Sequence, residues 1–90
     1  MKKTDRHLER IIKGFANHRR LQILGVLQKE PELSLQEISE RANSDFKNIS
    51  AHINKMAISG LVIKRSELHS VRHKLTKRGL GVLKFVRTLE

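Results

Sequence analysis

At 90 residues the chain has room for one domain, near the size below which a core needs help from a partner subunit. It contains no cysteine, which excludes a disulfide frame, a thiolate metal site and a thiol redox switch. Lysine and arginine number 19 against 9 acidic residues, a net charge of +10. The excess is uneven. Residues 1–45 carry 9 basic and 7 acidic side chains, whereas residues 46–90 carry 10 and 2. Such asymmetry points to a polyanion met by one part of the molecule: DNA, RNA or an anionic membrane surface. The plain alternative is a cationic domain with no such partner. Uninterrupted apolar runs such as Leu61-Val62-Ile63 are too short to span a membrane. Met1-Lys2-Lys3 is basic, but no apolar stretch follows, so it does not read as a signal peptide and the expected location is the cytoplasm.

The first helix is expected over Asp5 to Ala16. Leu8, Ile11, Ile12 and Phe15 recur there at i, i+3, i+4 and i+7, with Lys2, Lys3, Arg6, Arg10 and Lys13 off that stripe. Asn17 caps a second helix, His18 to Lys29. Its Leu21, Ile23, Leu24, Val26 and Leu27 spread over more than one face and so mark it as central to the core. Pro31 cannot continue that helix. Ser34 to Ala42 is a short third helix opened by the capping box Ser34-Leu35-Gln36-Glu37. After the turn Asn43-Ser44 comes DFKNISAHINKMAISG, Asp45 to Gly60. Asp45 is its N-cap and Gly60 its left-handed stop. Ile49, Ile53, Met56 and Ala57 form its apolar stripe. The other face carries Lys47, Asn48, Ser50, Ala51, Asn54 and Lys55, with no carboxylate. Such a face suits a DNA major groove, where Asn reads adenine, Lys reads guanine or phosphate, and Ala or Ser allows close approach. The plain alternative is an amphipathic helix with a solvated polar side.

Beyond Gly60 the period shortens. Leu61 to Ser66 and Val71 to Leu75 read as two strands joined by a turn at Glu67 to Ser70. In the second strand Val71, His73 and Leu75 alternate with Arg72 and Lys74. A hairpin after a helix-turn-helix makes a wing, with Arg65, Arg72 and Lys74 pointing outward and His69 near its tip. Thr76 caps a final helix, Lys77 to Leu89, carrying Val82, Phe85, Val86 and Leu89 on one stripe; Gly79 and Gly81 loosen its first turn. The fold class is therefore mainly α with a small β-hairpin, a winged helix-turn-helix in the order α-α-α-α-β-β-α, with residues 1–90 as one domain.

Three stretches carry a family resemblance over roughly Phe15 to Gly79. FANHRRLQIL, Phe15 to Leu24, resembles the pattern ALADPTRLRIL. ELSLQEISERANSDFKNISAHINKM, Glu32 to Met56, resembles ELSVGELAEALGLSQSTVSRHLKVL, with Ser50 and His52 at its Ser-x-His step. GLVIKRSELHSVRHKLTKRG, Gly60 to Gly79, resembles GLVRSRREGRHVYYRLTPEG. All three are patterns of the ArsR-type (arsenic-repressor-like) winged-helix transcriptional regulators. The resemblance implies binding of double-stranded DNA as a homodimer paired through the first and last helices, and hence an interface built from Leu8, Ile11, Ile12, Val82, Phe85, Val86 and Leu89. The departures bear on signalling. Metal sensors of that family place cysteines within the stretch matching Glu32 to Ile38, here ELSLQEI, or Asp and His ligands on the last helix, which here has neither. No converging soft or borderline ligands remain, so no metal and no cofactor is expected. An effector, where one exists, is a protein partner or a small molecule at the dimer interface. Leu68 stands where the wing tip usually has glycine, and Arg72-His73 replace a common aromatic pair.

An enzyme is not expected. His7, His18, His52, His69 and His73 form no i, i+4 pair, and no serine neighbours a histidine–carboxylate arrangement. Stacking on single-stranded RNA is disfavoured by the supply of only Phe15, Phe46 and Phe85. Phe46 either meets a thymine methyl or folds back, and the core is favoured. The candidate base-reading set is Lys47, Asn48, Ser50, Ala51 and Asn54; the backbone and wing set is His52, Lys55, Arg65, His69, Arg72 and Lys74. The competing reading is a winged-helix module that binds an acidic protein.

Overall fold

The computed structural model describes residues 4–90, so Lys2 and Lys3, assigned to the polar side of the first helix, lie outside the described residues, as does Met1. The elements are α1 (Asp5–Phe15), α2 (His18–Lys29), α3 (Leu35–Ala42), α4 (Phe46–Ile58), β1 (Val62–Glu67), β2 (Ser70–Leu75) and α5 (Lys77–Arg87), in the expected order.

The helices begin where side chains satisfy the free N–H groups of the first turn. Asn17 Oδ1 accepts from the Arg19 and Arg20 amides at 2.9 and 3.3 Å. Ser34 and Glu37 close the capping box, the Glu37 amide donating to Ser34 Oγ at 3.2 Å and the Ser34 amide to Glu37 Oε1 at 2.9 Å. Asp45 Oδ1 accepts from the Asn48 amide at 2.8 Å and Thr76 Oγ1 from the Gly79 amide at 3.0 Å. Each such cap stabilises its helix by about 0.5–2 kcal/mol. The cap of α1 is Thr4, not foreseen, whose hydroxyl accepts from His7 N at 3.2 Å. Beyond Ile58 and the C-cap Ser59, Gly60 with φ +76° stops α4, and the Leu61 amide turns back to donate to Met56 O at 2.9 Å.

Packing follows the apolar periodicity. α2 is central and touches every other helix and β2. Its Ile23, Leu24 and Leu27 are buried with Ile38 and Ala42 of α3, Ile49, Ile53 and Met56 of α4, and Leu61, Val62, Leu75 and Leu83. Gly79, expected only to loosen α5, has a steric duty: a Cβ there would stand 2.2 Å from the Leu61 carbonyl oxygen. Only glycine lets α5 start this close to the hairpin. Among the described residues no helix is long and apolar enough to cross a membrane.

The hairpin pairs Val62 with Leu75 through to Glu67 with Ser70, so the turn narrows from Glu67–Ser70 to Leu68-His69. Neither turn residue has a positive φ, which is why glycine is not needed there. A third strand position was not foreseen. Leu33 bridges to His73, whose amide donates to Leu33 O at 3.0 Å, while the Glu32 amide donates to His73 O at 2.9 Å. His73 was expected to be half-buried; it is 1% exposed. Its Nδ1 lies 2.8 Å from the same Leu33 carbonyl and donates to it. Val71, expected on the inner face, is exposed near the tip.

Burial, followed by the charge of Lys64, pushes the His73 imidazole below the ordinary histidine range, against the raising effect of its bond to Leu33. The unfolded chain therefore binds this proton more readily. Stability from His73 is complete above about pH 6.5, the unfolded value, and is lost as pH falls through the lower folded one. The urea midpoint should therefore hold above about pH 6.5 and drop as the pH falls below it. His73→Gln should lower the midpoint throughout and reduce its pH dependence. Equal pH slopes in the two proteins would refute a role for His73.

Candidate nucleic-acid interface

α4 buries Ile49, Ile53 and Met56, which turns Lys47, Asn48, Ala51, Asn54 and Lys55 outward as exposed residues; Ser50 is half-buried at the edge of that face. The capping of α4 reaches into this face. Asn48 Nδ2 donates to Asp45 Oδ2 at 2.9 Å, so a carboxylate stands beside a face that within the helix has none. The bond uses one amide hydrogen. The second hydrogen and Oδ1 remain, the donor–acceptor pair that adenine N7 and N6 require. Asn54 is also engaged: Lys64 Nζ, from β1, donates to Asn54 Oδ1. Lys64 was not among the expected contacts. A period-2 strand pattern says which face it lies on but not that the face meets α4.

The wing is anchored by its arginines. Arg65 pairs with Glu32 at 2.7 Å and Glu67 at 3.0 Å. Arg72, half-buried, pairs with Glu37 at 3.3 Å and Glu67 at 3.7 Å, and donates to the Glu32 carbonyl at 3.3 Å. The bond from Arg65 is the main cause that holds the Glu32 carboxyl below the usual carboxylate range. Expected to point freely outward, both guanidiniums instead tie the wing to the α2–α3 loop and α3, so each meets a phosphate only by exchanging a carboxylate. Lys74 is exposed and, among the described residues, makes no ion pair within 4.0 Å.

His52 is half-buried with its Nδ1 turned toward α2, where it accepts from Arg20 Nε at 3.1 Å. Burial first, then the charges of Arg20, Arg19, Lys55 and His18, hold its imidazole below the ordinary range. With Nδ1 occupied, Nε2–H is the group left to meet an acceptor. Arg20 itself is fixed by donating to Lys13 O at 2.9 Å. The Arg19-Arg20 pair opening the second helix was a visible signal for this cluster, and its reach to His52 was not.

His69, exposed at the wing tip, helps line a groove of about 350 Å³ with Leu35, Gln36, Phe46, Val71 and His73. Phe46 is 50% exposed in that groove, not in the core as expected, because α4 begins at its position, outside the α2–α4 packing. Of the residues assigned to a dimer interface, Leu8, Ile12, Phe85 and Leu89 are 43, 52, 58 and 70% exposed, whereas Ile11, Val82 and Val86 are half-buried. Leu89 lies past the end of α5.

Comparison with known proteins places this geometry. A family profile described as winged helix-turn-helix DNA-binding matches residues 17–63. HlyU from Vibrio cholerae is 31% identical, with a TM-score of 0.82 over 99% of this chain and 97% of that one. The homodimeric winged helix-turn-helix DNA-binding domain Mb0332 from Mycobacterium bovis, a possible ArsR-family transcriptional regulator, superposes with a TM-score of 0.83 at 24% identity over 99% of this chain and 88% of that one. At 18% identity FabT from Streptococcus pneumoniae, solved in complex with DNA, shares the fold with a TM-score of 0.69 over 77% of this chain and 50% of that one. No curated protein matches.

Proposed function

The chain belongs to the winged helix-turn-helix DNA-binding family, and from that premise we propose that it is a sequence-specific, homodimeric regulator of transcription that binds duplex DNA in the cytoplasm. The single observation that carries the reading is the exposed polar face of α4, flanked by a cationic wing and left uncovered by the rest of the fold. α4 enters the major groove, and Lys47, Asn48, Ser50, Ala51 and Asn54 read bases. Lys55, Lys74, His52 and His69 hold the backbone, joined by Arg65 and Arg72 when phosphate displaces their carboxylates. Residues 1–90 act as one domain, with α1 and α5 forming the two-fold interface, as suits a chain similar to a homodimeric domain. The reading places it with ArsR-like regulators that respond to no metal, since neither α3 nor α5 carries Cys, His or Asp.

A dimer of this kind prefers an inverted repeat whose half-sites are about 10–10.5 base pairs apart, one helical turn. Selection from a random duplex library should enrich such a repeat. A library that stays random through the selection, at low salt and at physiological salt, would defeat the reading in favour of an acidic protein partner.

A further inference from the structure

α1 presents three different faces. His7, Ile11, Gly14 and Phe15 turn inward, and Gly14 is buried where α1 meets α4. Leu8 and Ile12 lie on one flank, the side proposed for dimerisation. Arg6, Arg10 and Lys13 lie on the opposite flank, because helical positions advance by 3.6 residues per turn. That basic flank borders the C-terminal end of α4. There Arg10 and Lys13, together with Arg20 from α2 and Lys55 from α4, line a cleft of about 220 Å³ floored by Gly14, Ile58 and Ser59. Four cations from three helices thus converge. Among the described residues the only carboxylate paired with any of them is Glu9, 3.7 Å from Lys13 and well exposed.

We infer that this cleft takes a backbone phosphate of the bound duplex, beyond the groove that α4 reads. The inference rests on the DNA reading and extends it to a second contact surface. Lys47 to Lys55 covers about 12 Å of helix axis at about 1.5 Å per residue. The major groove is about 12 Å wide. With bases read by the N-terminal half of α4, the Lys55 end meets the sugar–phosphate wall, and α1 carries the cationic surface past that wall. Arg20 is pre-set for this, since its bonds to Lys13 O and His52 fix the guanidinium before any ligand arrives. The cluster already acts on its surroundings: after burial, Arg20 is the main cause that disfavours a proton on His52, and Lys55 adds to it. A concentration of charge with one exposed carboxylate partner among the described residues is what a phosphodiester relieves.

The test uses the full chain and a mixed-sequence duplex of about 30 base pairs, roughly three helical turns. Arg10→Gln with Lys13→Gln should weaken binding to every sequence alike. Its log–log salt slope should flatten by about 0.9, the value for one phosphate contact, so its deficit is roughly three- to fourfold larger at 50 than at 200 mM salt. Glu9→Gln, which releases Lys13, should strengthen binding and steepen the slope. Both changes are on exposed positions, and matching thermal unfolding midpoints would establish that the fold is intact. Asn48→Ala, run alongside on the duplex enriched by selection, separates the two claims. If Asn48→Ala weakens binding while the double variant keeps the original affinity and slope, the cleft is not a phosphate site and the DNA reading stands. If none of the variants changes binding, both fail.

Discussion

Phe85→Asp should convert the protein to a monomer and reduce its affinity for an inverted repeat by orders of magnitude. Phe85 is 58% exposed on α5, so the isolated subunit gains little from it, and the core residue of that helix is Leu83. In a two-fold interface each side chain acts twice. Burying one such side chain contributes about 1.5–3 kcal/mol, so the substitution removes roughly twice that before the cost of burying two carboxylates. At about 1.4 kcal/mol per tenfold, the dimer constant moves by roughly two to four decades. DNA then feels the loss of linkage as well, because a monomer holds one half-site without the raised local concentration of a second. Ile12→Asp should act in the same way from α1. Val82 packs against the core, so its replacement would unfold the subunit and say nothing of assembly. Light scattering is the measurement. An unmodified protein that is monomeric at micromolar concentration, or a Phe85→Asp protein that stays dimeric, would remove α1 and α5 as the interface.

What could be read in advance was what short-range chemistry decides. Asn17, Ser34, Asp45 and Thr76 each cap the helix that follows, because a cap depends on residues two or three positions away. Ile49, Ile53 and Met56 are buried because helical spacing alone puts them on one face. The wing was legible down to its tip, since Glu67 pairs with Ser70 and the chain reverses over Leu68-His69, inside the expected turn Glu67–Ser70. Long-range contacts were not legible. Nothing local says that Leu33, isolated after Pro31, completes the sheet through His73, or that Gly79 lies against Leu61 O. The site shows the same divide. Periodicity put Lys47, Asn48, Ala51 and Asn54 on one face, yet the Lys64 bond to Asn54, the Arg20 bond to His52 and the carboxylates on Arg65 and Arg72 all come from other elements. The alternating wing pattern gave the arginines' face correctly and could not see what already occupied it.

Asn48→Ala and Lys74→Ala should fail in different ways, and the difference tests the mechanism. Asn48 stands at the third position of α4 with one amide hydrogen on Asp45 and its remaining donor and acceptor free. Removing it should cost about 1–3 kcal/mol on the preferred duplex and relax choice at one base pair, with the other positions kept. Its salt slope should be unchanged, because a neutral amide releases no counterion. Lys47→Ala lies between the two cases, since it removes a charge as well as a reader of guanine. Lys74 is exposed on β2 and carries no carboxylate partner among the described residues. Its loss should weaken all sequences alike and flatten the salt slope by about 0.9, the value for one phosphate contact. Arg72→Ala should flatten the slope less than Lys74→Ala, because Glu37 and Glu67 already neutralise much of that guanidinium. What it loses instead is the tie between wing and α3, which should appear as a lower unfolding midpoint. Titration of each variant into specific and mixed-sequence duplexes across a salt series reads all of these effects. Binding that does not weaken with salt, or an Asn48→Ala protein with unaltered sequence choice, would show that α4 does not read bases in the major groove.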